Sequence, residues 1–239
     1  MIQTANSSAL YIGSCRYMYS NKWSFFPCRL HTTKEIIFFL ENIANLKSVI
    51  YRNPPALISL IFGDAYHPAV IEAFQKFIIN YKHNISRIYT DLILEICSRK
   101  IYYFNDIPLN HYYTKNRPSI ILGYNLREKI LTDNEIEQDL IYIKQLSKKF
   151  HPNAKINIIP HLNLKLESTH QYIPKRNGLV NLLGNLCIKL NLKFHDIGKY
   201  IEREISPNAF LEDYMADGSH YSFNGGLVKK FLETQIFSE

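Results

Sequence analysis

An α/β fold, with a central parallel sheet and helices on both faces, is what this sequence predicts, and three observations carry the prediction. Short apolar runs alternate with segments whose apolar residues recur at helical spacing. One run, Leu92-Ile93-Leu94 followed by Ile96, is almost continuously apolar, as a strand covered on both faces must be. Several runs stop abruptly at polar or glycine-bearing turns, the places where such sheets keep their chemistry. A chain of 239 residues can bury a full core, and it reads as one domain, 1–239, with an irregular insertion at about 101–125.

Ala9-Leu10-Tyr11-Ile12 reads as a buried strand that ends in the tight turn Gly13-Ser14-Cys15-Arg16. Thr32-Thr33-Lys34-Glu35 offers a hydroxyl cap to a helix whose Ile36, Ile37, Leu40, Ile43 and Leu46 form one apolar stripe. Asn53-Pro54-Pro55 then breaks the chain before an apolar run over residues 56–62, strand or helix, that ends at Gly63-Asp64 and precedes a helical pattern over residues 68–81. Residues 85–97 are the best strand candidate, ending at Cys97-Ser98-Arg99-Lys100. The aromatic, Asn-rich stretch from Tyr102 to Tyr124, with two prolines, breaks the rhythm and is the expected irregular insertion. Thr132-Asp133-Asn134-Glu135 caps a helix running to about Phe150. A strand over residues 155–160 leads to His161, an amphipathic helix covers residues 177–192, and a short strand over residues 193–196 follows. Asn224-Gly225-Gly226 opens a last helix.

Composition narrows the function classes. The longest apolar stretches, residues 36–40 and 56–62, fall far short of the roughly 20 residues that span a bilayer, so no membrane span is expected. Residues 1–9 have neither the basic nor the apolar region of a secretion leader, and cytoplasmic residence is the expectation. Cys15, Cys28, Cys97 and Cys187 form no CxxC pair, and the histidines form no HExxH pattern, so free thiols and no metal are expected. The net charge of +7 is spread along the chain rather than gathered in a run. Nucleic acid is therefore not the expected partner, whereas a phosphate-bearing coenzyme or an acidic carrier protein suits that charge. The 17 Tyr and 14 Phe supply either core area or a stacking surface.

Two turns carry the candidate chemistry. A thiol at a strand-to-helix turn, such as Cys15, lies near backbone amides, and a neighbouring imidazolium would populate its thiolate. The alternative is a buried, inert cysteine. Near the other end, Asp217 and His220 stand three apart on a Gly/Ser loop, a spacing at which a carboxylate can hold an imidazole in one tautomer. His161 and Asn163 follow another strand and either touch substrate or cap a loop. Arg16 and Arg99 are candidates for holding a phosphate or carboxylate, or are simply solvated.

Read together, a first strand ending in Gly13-Ser14-Cys15 and a closing Asp217-Gly218-Ser219-His220 block before the final helix resemble the SGNH or GDSL hydrolase superfamily. With Gly-Ser-Cys in place of Gly-Asp-Ser, the chain looks like cysteine-bearing branches, the GSCFA domain and a capsule-biosynthesis family with Gly-Asn-Cys. The resemblance implies a flavodoxin-like three-layer fold, Cys15 as nucleophile, and Asp217 and His220 as its partners. It makes Gly63 the match for the glycine whose amide helps form the oxyanion hole. The block that usually reads Gly-x-Asn-Asp falls at Cys97-Ser98-Arg99-Lys100, where the asparagine is missing. Ser98 or Arg99 then supplies a donor, with Ser14 beside it, or the site is not a standard esterase.

Two functions are consistent with these residues. One is transfer or hydrolysis of an acyl group through Cys15, as acyltransferase, esterase or thioesterase, in polysaccharide or natural-product modification. It needs no cofactor, takes acyl-CoA or an acyl-carrier protein as candidate donor, and passes the acyl group to a glycan, an amine or water. The other is a non-catalytic protein of the same fold that binds a coenzyme, nucleotide or glycan.

Overall fold

Successive side chains of a strand point to opposite faces of a sheet, and in the central strands of this one both faces are buried. The computed structural model describes residues 9–14, 22–42, 89–110, 114, 123, 125–216 and 225–237. Its elements are β1 (Ala9–Gly13), β2 (Ser24–Arg29), α1 (Thr33–Asn42), β3 (Asp91–Ile96), β4 (Lys100–Phe104), β5 (Ile107–Leu109), β6 (Arg127–Ile130), α2 (Asp133–Phe150), β7 (Lys155–Pro160), α3 (Pro174–Leu190), β8 (Lys193–Phe194), α4 (Ile197–Glu204) and α5 (Gly225–Phe237).

The main sheet has the order β2-β1-β3-β7-β8, and every pairing in it is parallel. On one face Leu10, Ile12, Leu92, Leu94, Ile96, Ile156 and Ile158 pack against α1, α2 and α3. On the other, Ala9, Tyr11, Ile93 and Ile159 pack against α4, α5 and the buried residues Leu211, Tyr214 and Met215. The chain is thus an α/β protein with flavodoxin-like strand order and helices on both faces. No helix among the described residues is long and apolar enough to cross a membrane.

Local chemistry places the helices. Thr132 accepts from the Glu135 N–H while the Glu135 carboxylate accepts from the Thr132 N–H at 3.0 Å, the reciprocal cap read from the sequence at the start of α2. Lys129, and then the Thr132 N–H, hold the Glu135 carboxyl down to about 2. Pro174 opens α3, and Asn191 ends it at φ 51°, a left-handed conformation that asparagine tolerates. Asp139 on α2 accepts from Thr33 Oγ1 at 2.5 Å and from Lys34 Nζ at 2.6 Å, tying α2 to the start of α1.

Two segments depart from expectation. The insertion expected to be irregular carries ordered structure: β4 and β5 fall within it or at its start, and with β6 just after it they form a separate antiparallel sheet in the order β5-β4-β6. Asn105 and Asp106, both at positive φ (45° and 64°), make the tight turn between β4 and β5. The strand expected over residues 193–196 is only β8, because the Asp196 side chain instead accepts from the Lys199 N–H and starts α4. The expected helix beyond Asn42, the run over residues 56–62 and the helix over residues 68–81 lie outside the described residues.

Two buried ionisable groups give the fold an unusual pH response. Glu35 Oε2 accepts from the His31 N–H (2.9 Å), the Thr32 N–H (2.7 Å) and Thr32 Oγ1 (2.8 Å), yet burial outweighs these donors and pushes the carboxyl up to about 7. His195 Nε2 donates to Asn157 Oδ1 (2.9 Å), and Asn157 Nδ2 donates in turn to Asp91 (3.0 Å). Burial, helped by Lys193, pushes that imidazole down to about 4. The native state therefore holds an extra proton at Glu35 between pH 4.5 and 7, and stability from this group is lost as pH rises through that window. At His195 the unfolded chain binds the proton first, so stability is lost as pH falls from 6.5 to 4. The two slopes oppose. On acidification from pH 6.5 to 4.5 we expect the urea-derived stability of Glu35→Gln to fall relative to that of the native protein by on the order of 3 kcal/mol. Parallel pH profiles in the two proteins would show that Glu35 is not held protonated in the fold.

Candidate active site at the β1–β3 crevice

In a sheet of order β2-β1-β3-β7-β8, the chain leaves β1 toward one edge and returns on the other side, so the crevice at the carboxyl ends of β1 and β3 is the natural binding place. Ser14 follows β1, Cys97-Ser98-Arg99 follows β3, and His161 to Asn163 follow β7. The fold thus brings these predicted residues to one edge. Cys15, Arg16, Gly63, Asp217 and His220 lie outside the described residues.

The turn after β1 rests on a buried polar pair. The Ser14 N–H donates to Glu95 Oε2 at 2.8 Å. Tyr11 Oη lies 2.5 Å from the same oxygen and 2.9 Å from the Ser14 carbonyl oxygen. Tyr11 and Glu95 are fully buried and Ser14 is 1% exposed. Only glycine fits beside them, because a Cβ on Gly13 would come within 2.5 Å of Glu95 Cβ and 2.6 Å of Tyr11 Oη. Tyr11 is flanked by Trp23 (centroids 6.1 Å apart), which stacks on Phe237 of α5 at 6.3 Å.

The end of β3 is tied to α1 and α2. The His31 carbonyl accepts from both the Cys97 and Ser98 N–H groups at 3.0 Å. Ser98 Oγ accepts from the Lys100 N–H at 3.0 Å and donates to the Lys100 carbonyl at 3.3 Å. The Arg99 guanidinium pairs with Asp133 at the start of α2, and its carbonyl accepts from Leu131. The Ser98 hydroxyl and the Arg99 guanidinium, expected to replace the missing asparagine, are thus engaged within the protein. Cys97 is half-buried, whereas burial pushes the Cys187 thiol up to about 12.

After β7, His161 Nδ1 lies 3.3 Å from the Leu162 carbonyl, the loop-capping arrangement weighed from the sequence. Arg176 Nη1 donates to that same carbonyl at 2.9 Å. Asn163 is buried and donates through Nδ2 to Asn177 Oδ1 at 3.0 Å, while its Oδ1 has no hydrogen-bond partner among the described residues. Among the described residues no group of three His, Cys, Asp or Glu could hold a metal ion.

Tyr11 and Glu95 were not among the residues singled out from the sequence. The signal was there for Glu95: a carboxylate inside Leu92-Ile93-Leu94-Glu95-Ile96, a run buried on both faces, must have dedicated donors. For Tyr11, one member of an apolar strand, periodicity says only that it is inside.

No family model and no curated protein matches the sequence. Among solved structures, the chain is similar to the crystal structure of a Parabacteroides merdae protein provisionally named a GDSL-like lipase, at 13% identity and a TM-score of 0.45, covering 96% of this chain and 94% of that one.

Proposed function

We propose that the protein transfers or hydrolyses acyl groups through Cys15. The observation that supports this most is the Gly13-Ser14 turn, held rigidly from beneath at the switch point of the sheet, immediately before a thiol. Met215 and Val228, which bracket the Asp217 to His220 block in sequence, share one apolar cluster with Tyr11.

In the proposed reaction the Cys15 thiolate attacks the carbonyl carbon of an ester or thioester, and the Cys15 and Gly63 amides stabilise the oxyanion. The carbon–oxygen or carbon–sulfur bond of the donor breaks, and His220, oriented by Asp217, gives its proton to the departing alcohol or thiol. A thioester remains on Cys15. An acceptor hydroxyl, amine or water then attacks it, losing its proton to His220 and releasing the thiol. Acyl-CoA or an acyl-carrier protein is the proposed donor and a glycan or amine the proposed acceptor. No cofactor enters these steps.

The test is thiol reactivity. Iodoacetamide at neutral pH is expected to modify Cys15 at least about tenfold faster than Cys28, Cys97 or Cys187, followed by peptide mass spectrometry. Burial already makes Cys187 a slow internal reference. The commitment of Ser98 and Arg99 to internal partners favours the second reading, a binding protein for a coenzyme, nucleotide or glycan. Uniformly slow labelling would decide for it.

A further inference from the structure

A cavity of about 280 Å³ opens where the amino ends of β7 and β8 meet the C-terminal ends of α2 and α3. Lys144 and Lys148 of α2, Lys155 of β7 and Lys193 of β8 line it, and no carboxylate is among its lining residues. Ammonium groups gathered around one hollow repel one another and draw in anions. A lysine near a helix C-terminus ordinarily answers the carbonyls left open there. Here backbone groups and Lys144 already do so. The Ser147 carbonyl accepts from the His151 N–H at 2.7 Å, the Cys187 carbonyl from the Leu192 N–H at 2.9 Å, and the Leu190 carbonyl from Lys144 Nζ at 2.6 Å. Ser147 adds an independent sign. It lines the same cavity and is 2% exposed, yet its Oγ has no hydrogen-bond partner among the described residues. A helical serine can bond back to the carbonyl four residues before it, and a buried hydroxyl left unpaired is destabilising.

We propose that this cavity binds a small organic phosphate, its phosphoryl group held by Lys148, Lys155, Lys193 and the Ser147 hydroxyl, its body resting against Ile156. Ammonium and hydroxyl groups are the donors a phosphoryl dianion needs. A water molecule's share of the liquid is about 30 Å³, so the hollow holds far more than one small ion. No aromatic ring lines it, which leaves a nucleobase nothing to stack on. The six residues of β7 set Lys155 roughly 20 Å from the carboxyl edge where the candidate active site lies. The ligand is therefore not the acyl donor of the β1–β3 crevice, and the site stands or falls apart from Cys15.

Isothermal titration of the full chain with ribose 5-phosphate, at constant ionic strength and with ribose as the uncharged control, tests the site. Saturable binding of one equivalent of ribose 5-phosphate is expected, and none of ribose. Inorganic phosphate should bind at least about fivefold more weakly, and adenosine monophosphate, which adds a base to the same body, no more tightly. Lys148→Gln and Lys193→Gln should each weaken ribose 5-phosphate about tenfold, and Ser147→Ala about fivefold. Ser147→Ala removes an unpaired hydroxyl, so the ligand-free melting temperature should hold or rise, which separates lost affinity from lost folding. Lys175→Gln, which removes the same charge from the opposite end of α3, should bind as the native protein does. Absence of saturable binding, native affinity in both lysine variants of the cavity, or an equal loss in Lys175→Gln overturns the site. Inorganic phosphate bound as tightly as ribose 5-phosphate, or adenosine monophosphate bound more tightly, overturns the assignment to a small organic phosphate.

Discussion

Cys15→Ala and His220→Ala are each expected to reduce acyl transfer at least about 1,000-fold, equivalent to about 4 kcal/mol of transition-state stabilisation, with the melting temperature unchanged. In the proposed mechanism one supplies the nucleophile and the other the only proton carrier. Cys15→Ser should retain little, because a hydroxyl is not ionised at neutral pH. Asp217→Asn is expected to cost less, about 10–100-fold, since a preformed thiolate–imidazolium pair needs the carboxylate only for orientation. Turnover of an activated ester by each purified variant checks all four, and full activity in either alanine variant ends the mechanism. Complete loss in Asp217→Asn beside an active Cys15→Ala would move the nucleophile to Ser14, with Ser14→Ala then decisive.

A second large effect is expected in stability. Gly198, in the first turn of α4, lies so close to the loop after β7 that a Cβ there would come within 2.1 Å of the Asn163 carbonyl oxygen and 3.0 Å of its carbon. Backbone against backbone cannot be relieved by a rotamer change, so Gly198→Ala should cost about 3 kcal/mol or more. In a chain of this size that lowers Tm by roughly 6–12 °C, measurable by calorimetry. Gly178, exposed in α3 with no atom of the described residues that would crowd a methyl group within 4 Å, is the control. Gly178→Ala should hold or raise Tm through helix propensity alone. Equal losses at the two positions would mean that α4 does not pack on Asn163 as described.

Much of this architecture was legible because burial on two faces writes itself into the chain. Leu92 to Ile96 could hardly be anything but a central strand, and Thr132 with Glu135 announced α2 to the residue. β2 was missed for an equally physical reason. Pro27 within Ser24–Arg29 reads as a breaker, yet β2 is an edge strand, where a missing N–H leaves no neighbour unpaired. β6 was invisible because Arg127-Glu128-Lys129-Ile130 is exposed throughout and carries no alternation. The hairpin ahead of it did leave a trace in Asn105-Asp106, a pair suited to the left-handed turn it makes. At the site, the residues that do the visible work at Ser14 are a tyrosine and a glutamate taken from ordinary strand positions. Pairing between strands distant in sequence joins them, which no local pattern records.

Trp23 is the chain's single tryptophan, and it sits between the phenol that faces Ser14 and the last aromatic ring of α5. Its indole is 1% exposed. The protein therefore carries one intrinsic fluorophore, placed where the end of β1, the entry to β2 and the C-terminal helix meet. Its emission comes from a single environment, without the averaging that several tryptophans impose. A blue-shifted spectrum belongs to the assembled junction, and any event that lifts α5 or loosens the first turn is written in that one band.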